Sequence, residues 1–222
     1  ISTDARQATS VIYYDANGNI IHAEDPLHHA VRMAYNDRNQ VILAVDALGD
    51  STHYEYDAVG NLIMATLPNG RQIVYSYDAN SRLVQVTDQY GIIQKTFYDA
   101  MGRTIATINA NGDTTRMTYD ALGRLTQTTD PLGHTEQYTY DLAGYMLAHT
   151  DANGNTAYYN YDAIGQLISE RDALNNVTTY TYNADGELTS VTDANGNATH
   201  YQYDAAGQLT KITFANGKTQ QF

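Results

Sequence analysis

The residues of this 222-residue chain best suited to chemistry are seven histidines and 25 carboxylates. Histidine can serve as a general base or metal ligand near neutral pH. Paired carboxylates can hydrolyse glycosides or hold hard cations. Neither group forms a site by its spacing. The histidines are His22, His28, His29, His53, His134, His149 and His200. His28 and His29 are adjacent, so on a strand they face opposite ways. No H-E-x-x-H, G-x-S-x-G or P-loop pattern occurs. The string DANGN, at 15–19, 151–155 and 193–197, alternates Asp and Asn oxygens as part of a calcium loop does. It lacks the remaining ligands and the closing Glu of an EF-hand. The reading is therefore a non-enzyme, with no catalytic, cofactor-binding or metal-binding residue assigned and no cofactor.

The carboxylates follow a different rule. Tyr recurs at Tyr14, Tyr35, Tyr56, Tyr77, Tyr98, Tyr119, Tyr140, Tyr161, Tyr182 and Tyr203, always 21 residues apart, and Asp follows it in eight of the ten cases. Asn36 and Asn183 replace it in the other two. A second Asp frame holds Asp4, Asp25, Asp46, Asp88, Asp130, Asp151, Asp172 and Asp193, so 16 of the 20 aspartates fall in two frames. A fixed period of this length is the signature of a repeat array.

The glycines identify what the frames are. Eight follow the Tyr by four residues: Gly18, Gly60, Gly102, Gly123, Gly144, Gly165, Gly186 and Gly207. The other eight are Gly49, Gly70, Gly91, Gly112, Gly133, Gly154, Gly196 and Gly217. His28, Asn39, Ser81 and Asn175 fill the remaining places in these frames. Glycine tolerates positive φ, and Asp opening a turn bonds backbone N–H groups further along. Each repeat thus contains two chain reversals. About six or seven residues separate them, rich in Tyr, Thr, Val, Ile and Leu, which is strand length and strand composition. Turn signals cut every window before a third helical turn.

A second Tyr precedes the first by two residues at Tyr54, Tyr75, Tyr138, Tyr159, Tyr180 and Tyr201, on the same strand face. Leu62, Leu83, Leu125, Leu167, Leu188 and Leu209 share one frame of the following strand, with Ile20 and Val41 earlier. The expected fold is all-β: repetitive antiparallel hairpins, about twenty strands, forming a continuous twisted and curved sheet. The expected domain organisation is one array of about ten 21-residue repeats over 1–222.

The stretch YDALGRLTQTTDPLG (119–133) resembles the YD repeat of RHS proteins, a family that includes bacterial RHS toxins, C subunits of insecticidal toxin complexes and teneurins. The resemblance covers essentially the whole chain, in ten registers. It implies a hollow β-shell which, in bacterial members, encloses a C-terminal toxin domain. The implied role is structural. The core segment P-x(4)-D-P-x-G-L, where family aspartates support self-cleavage, is absent from this sequence; DPLGH (130–134) lies in an ordinary repeat turn.

Composition limits the partners. The net charge of −13 disfavours nucleic acid and anionic membrane surfaces. No apolar run has the length of a spanning helix, no N-terminal run reads as a signal peptide, and the absence of Cys removes disulfides and thiolate sites. The chain starts with Ile and both ends cut through a repeat, so an internal section of a longer array is expected, secreted or on a bacterial surface. Its partners would be neighbouring repeats of the parent and an enclosed toxin domain. The two edge segments, around 1–12 and 216–222, would favour edge-to-edge self-association. The Tyr rows leave two readings open: packing against neighbouring strands with hydroxyls at the rim, or an exposed ladder that stacks on glycans in an adhesion or carbohydrate-binding module.

Overall fold

The computed structural model describes residues 2–3 and 9–222; Asp4 and part of the N-terminal edge segment lie outside them. The described residues contain strands and turns and no helix. The chain divides into two compact units, Ile1–Thr114 and Thr115–Phe222. Within each, successive strands pair antiparallel with their neighbours in sequence.

One repeat shows the construction of all. The strand Thr156–Tyr161 ends on the frame tyrosine, and Leu167–Arg171 returns beside it. Between them Asp162 N–H donates to Gln166 C=O (2.9 Å) and Gly165 N–H to Asp162 C=O (3.1 Å). This is a tight hairpin loop whose glycine must be left-handed. All 16 glycines have positive φ, and so do the four frame substitutes, His28 (66°), Asn39 (59°), Ser81 (58°) and Asn175 (66°). Both sets of turns therefore have the conformation that the two glycine frames predict.

The turn carboxylates are structural. Asp151 Oδ1 accepts the N–H groups of Asn153 (2.9 Å) and Asn155 (2.8 Å), while Oδ2 accepts Asn155 Nδ2 (2.9 Å). These bonds hold the Asp151 carboxyl below the usual carboxylate range, the Asn155 side chain contributing most. Where the first residue is Asn, the pattern persists: Asn36 Oδ1 accepts Arg38 N–H (2.9 Å) and Gln40 N–H (3.1 Å).

One turn departs from the pattern. Asp88 pairs directly with Gly91, so this loop has only two residues, and the register recovers through an irregularity between Ile92 and Gln94. The 21-residue step survives because the strand Gly91–Tyr98 has eight residues, where Thr156–Tyr161 has six.

Every Tyr-to-Leu hairpin carries a bulge. Tyr161 pairs with Leu167 but Asn160 with Ser169, leaving Ile168 as an extra residue; the same shift accompanies each frame tyrosine from Tyr14 to Tyr203. A bulge bends its strand and increases local twist. It recurs once in each repeat, so every such hairpin is bent locally in the same way.

Among the described residues, no second layer covers the strands within either unit. Among the described residues only Ala65 (4% exposed) and Thr96 (8%) are buried. Stabilisation comes from contacts in the plane of the sheet.

Candidate functional site

Strand register sorts the side chains onto two faces. Tyr138 pairs with His149, and His149 with Ala157; Tyr159 pairs with Glu170, and Glu170 with Thr178. Paired residues share a face, and so do residues two apart. One face therefore collects both tyrosine frames, the Leu frame and the residues opposite them. The other collects Thr118, Gln137, Thr139, Tyr158, Asn160, Thr179 and Gln202, all exposed. The two buried residues belong to the tyrosine face, Ala65 directly opposite Tyr54 and Thr96 two residues before Tyr98.

The ten frame tyrosines each close a strand, and many of their hydroxyls have a shared task. The ladder between Leu62–Thr66 and Gln72–Tyr77 runs only to Met64 paired with Val74. Beyond it, Tyr77 Oη donates to Leu62 C=O at 2.9 Å. Tyr35, Tyr56, Tyr98 and Tyr182 make the same bond to Ile20, Val41, Leu83 and Leu167 at 2.9 Å, and Tyr203 to Leu188 at 3.0 Å. These hydroxyls turn into the sheet to serve the main chain instead of ending at the rim. Burial raises the Tyr56 and Tyr77 phenols above their ordinary range, so they stay donors. Tyr161 also stacks on Tyr145, with centroids 5.0 Å apart.

Arginines after the left-handed turn residue tie repeats together. Arg124 Nε donates to Asp120 Oδ2 (2.7 Å), its Nη1 to Asp141 C=O (2.6 Å), and its guanidinium covers the Tyr140 ring at 4.8 Å. Arg82 does the same with Asp78, Asp99 and Tyr98. The frame glycines Gly60, Gly102, Gly123, Gly144, Gly165, Gly186 and Gly207 take φ between 77° and 105°.

The histidines separate into roles. His29 and His134, which share a frame, each place Nδ1 2.8 Å from Oδ2 of their own turn aspartate, Asp25 and Asp130. They take the part that the Asn155 side chain plays in its turn. Among the described residues, no group of three or more His, Asp or Glu could hold a metal ion, and no helix is long and apolar enough to cross a membrane.

His149 is different, and spacing alone did not single it out. It stacks on Tyr138 (4.8 Å, 9° between planes), its Nε2 is shielded from solvent without a hydrogen-bond partner, and Glu136 Oε2 lies 3.8 Å away. Tyr138 Oη donates to that same Glu136 oxygen at 2.7 Å. Glu170 accepts the Tyr180 hydroxyl, also at 2.7 Å. Burial, with the Glu170 bond second, pushes the Tyr180 phenol up to about 12. The signal was present in the pairing frames. Apart from tyrosines, Glu136, His149 and Glu170 are the titratable strand residues that register puts on the tyrosine face of the unit Thr115–Phe222.

This arrangement of paired turns, capped tyrosines and in-plane packing matches known repeats. A family model described as Teneurin YD-shell matches residues 69–182, just over half of the chain. The chain belongs to the YD-shell family. A model described as RHS Repeat also matches residues 35–72 and 182–219. Comparison with curated proteins gives no match. Among solved structures, the chain is similar to TcdB2–TccC3 without its hypervariable C-terminal region, at 19% identity and a TM-score of 0.71 over 92% of the chain. It is also similar to the Photorhabdus luminescens Tc holotoxin pore, at 17% identity and a TM-score of 0.55 over 92%. The chain spans 12% and 14% of those two chains. At these identities the likeness is one of fold.

Proposed function

We propose that this segment is part of the wall of an RHS-type β-shell that encloses a polypeptide C-terminal to the repeats, in a protein secreted by a bacterium. The observation that carries this reading is a folded sheet that, among the described residues of each unit, has no layer on either face, in a family whose fold is a shell. An antiparallel sheet normally buries one face, and here the tyrosine face has only its own plane to pack against. The rims support the same reading. Leu48, Leu122, Leu132, Ile164 and Leu174 sit at turn tips, 70–89% exposed, where neighbouring repeats of a parent chain would cover them. The segment performs no chemistry of its own; its turn carboxylates are occupied by backbone N–H groups.

The test compares the parent's whole array with this segment alone, each followed by the parent's downstream polypeptide, under limited proteolysis. Protection of the downstream part in the whole array, and its loss with the segment alone, is the expected result. Equal digestion of both would overturn enclosure and favour the surface-adhesion or glycan-binding reading. Tyrosine fluorescence during titration with glycans would then test that alternative.

A further inference from the structure

We infer that the tyrosine face from Glu136 to Tyr180 is a docking strip for a cationic polypeptide segment, received by the Glu136 and Glu170 carboxylates between tyrosine rings. The inference rests on the wall reading and adds the chemistry of what the wall faces.

The argument starts from how charge is distributed. Turn aspartates lie at the rims, and the polar face carries Arg32, Lys95, Arg116, Arg171 and Lys211. On the tyrosine face of the unit Thr115–Phe222, the titratable strand groups other than tyrosines are Glu136, His149 and Glu170. They fall within four neighbouring strands, from Thr135–Tyr140 to Leu167–Arg171. A layer that covers this face withdraws both carboxylates from water. That is costly unless each meets a cation and its remaining lone pairs are hydrogen-bonded. Half of this requirement is already built. One oxygen of each carboxylate accepts a phenol at 2.7 Å, from Tyr138 or Tyr180. The second oxygen of each remains for an incoming donor. Beside them stand the half-buried rings of Tyr159 and Tyr180, and aromatic rings attract ammonium and guanidinium groups. An apolar or acidic occupant would strand two desolvated carboxylates; a basic one completes them.

Spacing adds a constraint. Glu136 and Glu170 lie three strands apart, about 14 Å, and four residues apart along the strand direction, about 13 Å, so roughly 20 Å separate them. An extended chain spans about that distance between residues i and i+6, which point to the same side. Two basic residues at that spacing fit the strip.

The probe is a fluorescein-labelled hepta-arginine peptide, titrated by anisotropy against the 222-residue chain in about 150 mM salt, where the screening length is about 8 Å. Glu136→Gln with Glu170→Gln should raise Kd about tenfold or more, as expected for losing charged hydrogen bonds. A charge-matched control, Glu24→Gln with Glu55→Gln, changes two carboxylates that register puts on the opposite face and should shift Kd less than about twofold. Equal weakening in both pairs would show that net charge alone attracts the peptide and would overturn the strip. So would a wild-type affinity no better than that of the double variant. Far-UV circular dichroism confirms that the variants fold; if the double variant does not, Glu170→Gln alone is titrated, with a loss of about threefold expected. Proteolysis of the whole array reads the wall separately. Strong peptide binding with an unprotected downstream domain would sink enclosure and keep the strip, and the reverse result would sink the strip alone.

Discussion

Replacing the two glycines that flank the strand Thr156–Tyr161 separates backbone strain from packing. Gly154 and Gly165 have nearly the same φ, 84° and 89°. A Cβ at Gly154 meets nothing within 4 Å, whereas one at Gly165 falls 1.8 Å from the Tyr145 hydroxyl oxygen and 2.2 Å from its Cζ. Gly154→Ala should therefore cost only left-handed strain, partly offset by a less flexible unfolded chain, about 1 kcal/mol net. Gly165→Ala bears the same strain. It must also swing the Tyr145 ring off Tyr161, forfeiting an aromatic contact of about 0.5–1.5 kcal/mol beyond area burial, for roughly 2 kcal/mol in all. In a Tyr145→Ala background Gly165→Ala should fall back to about 1 kcal/mol, giving a coupling of about 1 kcal/mol in the double-mutant cycle. Urea unfolding reads each value, provided the slope stays constant. Equal costs for the two glycines, or no coupling with Tyr145, would refute the assignment of this turn geometry.

Tyr77→Phe should destabilise by about 1 kcal/mol in the same assay, because it leaves the Leu62 carbonyl without its phenol donor; a change below about 0.3 kcal/mol would mean that the bond adds nothing to stability. Hydrogen bonds from Asn19, Asn155, Asn176 and Asn197 side chains are the largest influence lowering the carboxyls of Asp15, Asp151, Asp172 and Asp193. A lowered folded pKa stabilises above the unfolded value, about 3.9, and that contribution is lost as pH falls through the folded values. The melting temperature should hold from about pH 7 to 5 and drop below about pH 4, whereas an equal drop between about pH 7 and 5 would assign the sensitivity elsewhere. Asp151→Asn should leave the urea midpoint nearly unchanged, since Asn36 opens an equivalent turn with the same N–H bonds; a clear loss in urea would mean that the charge itself matters. EDTA should leave the melting temperature unchanged, and a large rise with calcium would reveal real sites through ligand linkage.

The turns were legible because their cause is local. Positive φ selects glycine, and when Asn39, Ser81, His28 or Asn175 takes the place, the conformation holds while only the side chain changes. The strands followed from the distance between turns. The tyrosine hydroxyls were not legible, because the bond from Tyr77 to Leu62 depends on where the ladder stops, which is a consequence of register. The bulge at Ile168 and its equivalents adds one residue on one side of each hairpin, so frame counting alone cannot say which side chains share a face. His149 and Glu170 share one repeat frame, 21 residues apart, but frame counting does not show that Glu136 lies on the same face. The two-residue loop at Asp88–Gly91 was hidden because the lost loop residue is restored in the next strand.

A sheet without a core layer must draw its stability from contacts within its own plane. This chain places its specific interactions in the plane: turn carboxylates on backbone N–H groups, phenols on carbonyls, and Arg82 and Arg124 joining each turn to the next hairpin. Each such contact links only neighbouring repeats, so stability adds up along the array, as in other repeat proteins. The faces are then free to differ. Threonine and glutamine are exposed on one, while tyrosine and leucine give the other a surface with few charged strand residues. On that surface a carboxylate contributes nothing to the turns, and Glu136 and Glu170 weaken any purely apolar cover. Their phenol bonds hold them in place without neutralising them. Such an arrangement suits a face that meets positive charge, and it is why the peptide titration tests what these carboxylates bind and not the stability of the sheet.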